Sequence, residues 1–493
     1  MESSPPPLGL TLAFFHEFIR RSKIPLEGLT TKDVCRELVK PYTLSTKQSL
    51  VNHVLADPVD SITYLRPASW YVSHAWSYLF LDTVQALDTY FDEKELDPST
   101  EALWFCVFNV NQHDVVSDDA VDFEEIFRTT LGTIRRMVMV VHPWNDPITL
   151  TRIWCIYEVY LATLLEGGEF QVAMATPQKR AFLDDVRSQS NAFFDMLGKV
   201  RSERARATKR SDQARIVQLI DEQIGFTDLD NKIFGALSGW MFNCVLQQSV
   251  LPNTTLVESA TWCLVVGALM CDADREEEAE KYLLRALDLF QDNIAACKAS
   301  MYIARVRAGR GEPRINWENL LIASMKRQSY ELGRAHPDTL NTMYELGFCY
   351  CDIGEFDQAA ELLTEVVIHR TNELGEGHYD TTIAMSLLGY IYLESGELDE
   401  ALKWLQPSYD LQLTHLGDDH PATGRTMNNL ALCYDGQGRY DLALPLYRKA
   451  HETSRRVFGE KHPSTEASWD NLHAATLRSR LLDSTSLSNS DPS

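Results

Sequence analysis

Four histidines, His336, His378, His420 and His462, recur at intervals of 42 residues, and they bring a lattice of other residues with them. Pro337, Pro421 and Pro463 follow three of them and Tyr379 follows the fourth, while Thr339, Thr381, Thr423 and Thr465 stand three positions on. Ten positions on come Leu346, Leu388, Leu430 and Leu472, then Tyr350, Tyr392 and Tyr434, then Gly354, Gly396 and Gly438, then Ala359, Ala401 and Ala443. A fixed period of this length means one supersecondary unit copied along the chain. Leu and Tyr at i and i+4 share one face of a first helix. The glycine ends that helix by taking the left-handed conformation. The alanine falls in a second, antiparallel helix, where two backbones approach closely. Leu374-Gly375 and Leu416-Gly417 close the second helix ahead of the next turn. Such a hairpin leaves a face uncovered, so the copies must stack into a superhelix. The histidines stand at turns, which favours a turn role over a ligand role.

This pattern resembles the tetratricopeptide family, in the long-loop form of kinesin light chains, over Thr255 to about Arg478. A decayed copy starts near Leu256, with Gly267 and Ala279 at the same offsets. Residues 290–335 read as irregular, and only Leu332-Gly333 keeps register there. Three clear repeats, a partial last one and one or two degenerate ones in front are therefore expected. The resemblance implies a concave groove that takes a protein or peptide ligand. Asn429 and Asn471 share one offset on their first helices, and an amide can both donate to and accept from a peptide backbone. A solvated or intrahelical asparagine is the competing reading, and Glu345 and Leu387 break the pattern at that offset. An adaptor acting in the kinesin-light-chain manner would need a heptad-rich segment, and none is visible.

Between residues 66 and 178 the character changes. Trp70–Ser73, Leu103–Val110, Met137–Val141 and Phe170–Met174 read as strands; Leu79–Tyr90, Phe123–Ile134 and Leu150–Leu164 read as helices. Alternating β and α predict an α/β domain with a mainly parallel sheet of flavodoxin-like order, followed by the all-α superhelix. Ligands collect at the carboxyl ends of such strands. There the sequence places Ser73-His74-Ala75-Trp76, then Asn111-Gln112-His113-Asp114, then His142 to Asp146. Trp154 and Glu158, four apart on the following helix, share a face. A carboxylate beside an indole suits stabilisation of a cation, or proton transfer if its pKa is raised. His74, His113 and His142 would converge on a metal under the same topology, with Asp114 or Asp146 in support. Hydrogen-bonding loop histidines, or contacts to a nucleotide's phosphates, compete with that reading, and no metal is assigned.

Over roughly Ala68 to Pro177 the sequence is similar to a divergent TIR domain (the Toll/interleukin-1 receptor fold). Two pieces carry the likeness: Tyr71-Val72-Ser73-His74 at the end of the first strand, and Trp154-Cys155-Ile156-Tyr157-Glu158, which matches the WCxxE motif of plant-type TIR domains. The resemblance implies that Glu158 is the catalytic residue for cleaving the nicotinamide–ribose bond of NAD. Trp154 would shape the pocket, and Ser73, His74, Trp76 and His113 would bind the substrate. It also implies a gating loop over Asn111–Asp119 and self-association of the domain. NAD enters as substrate; no cofactor is called for. Asp146-Pro147 departs from the family's small serine-rich turn, and no arginine follows the first strand.

Composition narrows the function classes. With 46 Lys plus Arg against 70 Asp plus Glu, the net charge of −24 leaves no basic footprint for nucleic acid. No run of about 18 apolar residues predicts a membrane span. Leu8–Phe15 has the wrong flanking charges for a secretory signal. Ten cysteines without a CxxC pair read as reduced thiols, and the chain is expected in the cytoplasm. Residues 1–65 read as a helical leader with Thr31 as an N-cap, 179–250 as a helical linker, 251–480 as the superhelix and 481–493 as a disordered tail. Lys199 to Arg210 carries six basic residues against Glu203, a solvated helix face or linker, or a contact for an anionic partner. The reading that results is a signalling scaffold with an NAD-cleaving domain, with a non-enzymatic interaction scaffold or a kinesin-light-chain-like adaptor as the alternative.

Overall fold

The computed structural model describes residues 7–114, 122–188, 192–207, 210–250, 255–273, 275–291 and 293–488. The chain divides into two compact units, Met1–Met241 and Phe242–Ser493.

The first unit is built on a six-stranded mixed sheet in the order β2-β1-β4-β3-β5-β6. Its strands are β1 (Leu8–Thr11), β2 (Leu65–Pro67), β3 (Trp70–Ser73), β4 (Ala102–Phe105), β5 (Arg136–Val140) and β6 (Glu169–Ala173). β3 runs parallel to β4 and β5, and β5 parallel to β6, whereas β1 is antiparallel to both of its neighbours. All four residues of β3 and of β4 are buried, as strands covered on both faces require. One face packs Trp70, Val72, Phe105 and Val138 against Phe14, Phe15, Phe80 and Leu87. On the other face Tyr71 stacks on Trp104 at 4.9 Å, and both meet Phe127 edge-on. Alternation of side chains along β3 therefore sends Tyr71 and Ser73 to the Phe127 side.

Several expectations are corrected here. The leader is not purely helical: Leu8–Thr11 and Leu65–Pro67 extend the sheet. Leu103–Val110 is not one strand, because the chain turns into a one-turn helix, Cys106–Asn109, after Phe105. Asn109 pins that turn, accepting from Phe105 N at 3.0 Å and donating to Leu8 O at 2.7 Å. The leader's N-cap is Thr30, which forms a capping box with Asp33, and not Thr31. A 3₁₀ turn, Ile148–Thr151, precedes the helix Ile153–Thr163. The basic stretch is not a helix face: Arg206 docks along the chain there, exchanging backbone bonds with Thr151 O and Ile153 N. The side chains of Lys199 and Arg210, and Lys209 altogether, lie outside the described residues, as do Val115–Asp119 of the expected gating loop.

The second unit is a series of helical hairpins. Those opening at His336, His378 and His420 pair Pro337–Asp352 with Phe356–Leu374, Tyr379–Glu394 with Leu398–His415, and Pro421–Gly436 with Tyr440–Phe458. The histidine lattice has a capping origin. His336, His378 and His420 are N-caps whose side chains accept from the backbone N–H two positions on, at 3.1–3.2 Å, and His462 Nδ1 does the same from Ser464 N. Gly354, Gly396 and Gly438 have φ of 80°, 86° and 72°, the left-handed stop that the spacing predicts. The close approach is also real: a Cβ on Gly389 would lie 2.6 Å from Leu405 and 3.2 Å from the carbonyl oxygen of Ala401. Leu256–Asp272 and Glu276–Phe290 form the decayed copy, with Gly267 against Leu283. Residues 290–335, read as irregular, hold a full hairpin, Ala296–Gly309 and Ile315–Glu331. The last helix runs from Pro463 to Ser488, so most of the expected disordered tail is helical and only 489–493 lie outside the described residues.

Candidate functional site

Glu158 sits on the inner side of the helix Ile153–Thr163, 5% exposed, beneath the carboxyl end of β3. Both of its carboxylate oxygens are held. Tyr71 Oη donates to Oε1 at 2.6 Å and Ser73 Oγ to Oε2 at 2.5 Å. Burial pushes the carboxyl up to about 7, and the two hydroxyl donors, which favour the charged form, offset only part of that. Tyr71 is pushed well above the ordinary phenol range by burial and by the facing carboxylate. An acid poised near neutrality inside a cavity is a functional-site signature.

The cavity, about 230 Å³, is lined by Glu158 together with His74, Trp76, Cys106, Trp154 and Asp212, among others. Lys32 and Arg152 contribute to the same wall. Trp154 leans edge-on against Phe127 at 5.3 Å and donates its indole N–H to Asp212 Oδ2 at 3.3 Å. Trp76 donates to Cys106 Sγ at 3.3 Å. His74 is buried and stacks on Phe105 at 4.2 Å, and neither ring nitrogen has a hydrogen-bond partner. Burial pushes its imidazole down to about 3, so the ring is neutral.

Of the residues singled out in the sequence, Glu158, His74, Trp76 and Trp154 share this wall, and Ser73 reaches it through Glu158. His113 does not line it: its Nε2 lies 2.9 Å from Thr43 Oγ1, while Gln112 takes the wall position. His142 meets Tyr78 edge-on at 5.9 Å, so the three loop histidines serve separate neighbours. Among the described residues no cluster of three metal-ligating side chains occurs. Tyr71 was missed, although its place two residues before Ser73 on one strand was the available signal. Asn429 is buried in its helix, and Asn471 donates to Asn428 Oδ1 at 3.2 Å. In the preceding hairpins Arg305 and Glu345, both on first helices, form a 4.0 Å ion pair, and Arg370, on a second helix, donates to Asn341 Oδ1 of a first helix at 2.6 Å.

A family model described as tetratricopeptide repeat matches residues 338–414 and 380–456. The helical hairpins there are tetratricopeptide repeats. Among solved structures, the nearly identical TPR-like repeats of a kinesin light chain candidate from Podosopora anserina are 20% identical, covering 41% of this chain and 98% of that one at a TM-score of 0.35. A Rap protein complexed with Competence and Sporulation Factor is 14% identical over 69% of this chain and 90% of its own, at 0.39. NprR in complex with its cognate peptide NprX is 13% identical over 62% and 83%, at 0.36. No curated protein matches. The tetratricopeptide match lies wholly in the second unit, outside the cavity of Glu158.

Proposed function

We propose that this chain is a cytoplasmic signalling scaffold in which the tetratricopeptide superhelix holds a protein or peptide partner. The sheet domain, read as TIR-like, self-associates and hydrolyses NAD at the nicotinamide–ribose bond. One observation carries the enzymatic half: a buried carboxyl poised near neutrality, Glu158, on the wall of a cavity that also presents Trp76 and Trp154.

Nicotinamide leaves as a neutral molecule, so its departure needs no acid, and the barrier lies in the positive charge that develops on the ribose. Glu158, once ionised, stabilises that oxocarbenium-like centre through the ribose hydroxyls. Tyr71 and Ser73 hold the carboxylate in one orientation, which removes the cost of ordering it during reaction. An indole face suits the cationic nicotinamide ring before cleavage. Water then adds to the ribose carbon and releases a proton, giving ADP-ribose.

The test is nicotinamide release by the purified full chain, with and without a crowding agent. Turnover that falls at least a hundredfold in a Glu158→Gln variant that still unfolds cooperatively supports the proposal. Absence of turnover under every clustering condition leaves the second reading, a non-enzymatic scaffold. That reading is favoured by the two internal hydrogen bonds already engaging both oxygens of Glu158.

A further inference from the structure

The last helix, Pro463–Ser488, breaks the burial pattern of the repeats before it. At the position of Trp469, the three preceding repeats carry Met343, Met385 and Met427, exposed by 0%, 8% and 1%, whereas Trp469 is 52% exposed. One turn on, Gly347, Gly389 and Ala431 give way to His473, which is exposed. In the earlier repeats that position meets the second helix of its own hairpin: Gly389 abuts Leu405 and Ala401. Among the described residues no second helix covers the last one, and Leu477 and Leu481 are 47% and 65% exposed on the same side. His451 supports one edge of the Trp469 ring at 5.3 Å, and His473 stacks beyond it at 6.3 Å, so the indole is held and still presented.

The charges on this face are self-complementary. At about 100° per residue, Glu466, Trp469, His473, Leu477 and Arg480 fall within one quadrant of the helix. Antiparallel pairing of two copies about a dyad at His473 sets Trp469 opposite the partner's Leu477. It also sets Glu466 opposite the partner's Arg480, and symmetry repeats both contacts. A large ring meeting a smaller side chain, flanked by opposite charges at both ends, is how two helix faces select one register.

We infer that the exposed face of the last helix is a homodimer surface, on which a second copy's Pro463–Ser488 helix packs antiparallel. The two superhelices then join end to end, independently of anything the sheet domain does.

Sedimentation equilibrium of the full chain over about 1–100 µM tests this. The wild type should show at least twice the mass of one chain, and Trp469→Glu half the wild-type mass with an unchanged melting curve. Glu466→Lys and Arg480→Glu should each weaken association about tenfold, because each reversal acts twice across the dyad. The combined swap should restore it to within about threefold. A single-chain mass for the wild type throughout, a dimer untouched by Trp469→Glu, or a combined swap no tighter than either single variant would overturn the inference.

Discussion

Ser73 and Glu158 meet across 85 positions of sequence: the serine hydroxyl at the end of β3 donates to Glu158 Oε2 at 2.5 Å. Tyr71, two residues earlier on the same strand, takes the other oxygen. A helix and a strand thus fix one carboxylate between them, and the helix's own Trp154 stands on the same cavity wall. The arrangement lies at the carboxyl end of a parallel strand, where such sheets gather ligands.

Stability should depend on Glu158 in a defined pH window. Its folded value of about 7 exceeds the unfolded one, so the native state holds the extra proton between about pH 4.5 and 7. The stabilisation is complete below pH 4.5 and is lost as pH rises through 7, by about 3 kcal/mol. Glu158→Gln removes this slope. Chemical denaturation at pH 5 and pH 8 should show the variant gaining on the wild type at the higher pH.

His74 acts in the opposite direction. Its folded value of about 3 lies below the unfolded one, so its contribution is present above pH 6.5 and lost on acidification towards pH 3. Between pH 4.5 and 6.5 the two groups oppose each other. In Glu158→Gln the His74 slope stands alone, and stability there should rise with pH more steeply than in the wild type. Because the His74 contribution cancels in the difference between the two proteins, a flat difference over that range would contradict the raised value of Glu158, and a Glu158→Gln stability that does not rise with pH there would contradict the lowered value of His74.

The second unit was largely legible in the sequence because its constraints are local and repeated. A cap at His336 or a stop at Gly354 needs only its own turn, and 42-residue copying multiplies the signal. The hairpin within 290–335 escaped because its capping histidine is absent and its stop glycine, Gly311 with φ of 68°, stands one position off the 42-residue lattice, while its core residues Trp317 and Leu321 remain. In the first unit, β1 falls inside the leader expected to be helical. Leu8–Thr11 runs straight into Leu12–Arg21 without a turn, so no boundary shows. Leu103–Val110 is apolar throughout, which hides the bend after Phe105. Glu158 could be singled out from its motif. Its burial and its hold on Tyr71 are non-local and could not be.

Capping sets a measurable energy in the repeats. His420→Ala removes the acceptor for the Ala422 N–H, at a helix start that is 8% exposed. The loss should be about 1 kcal/mol, read as an earlier denaturant midpoint with an unchanged slope.

Close packing should cost more. Gly389→Ala inserts a methyl 2.6 Å from Leu405 Cγ and 3.2 Å from the Ala401 carbonyl oxygen. Despite the better helix propensity of alanine, overpacking should destabilise the second unit by about 1–3 kcal/mol. Gly354→Ala, where φ is +80° and the space is open, should cost about 1 kcal/mol through strain alone.

The account rests most on Glu158 acting upon a substrate, and nicotinamide release from NAD by the full chain addresses it directly. The expected result is turnover in the wild type that rises through about pH 7 as Glu158 ionises, and that disappears in a folded Glu158→Gln variant. Release that persists in that variant, or a wild type that releases no nicotinamide even when crowded, would contradict it.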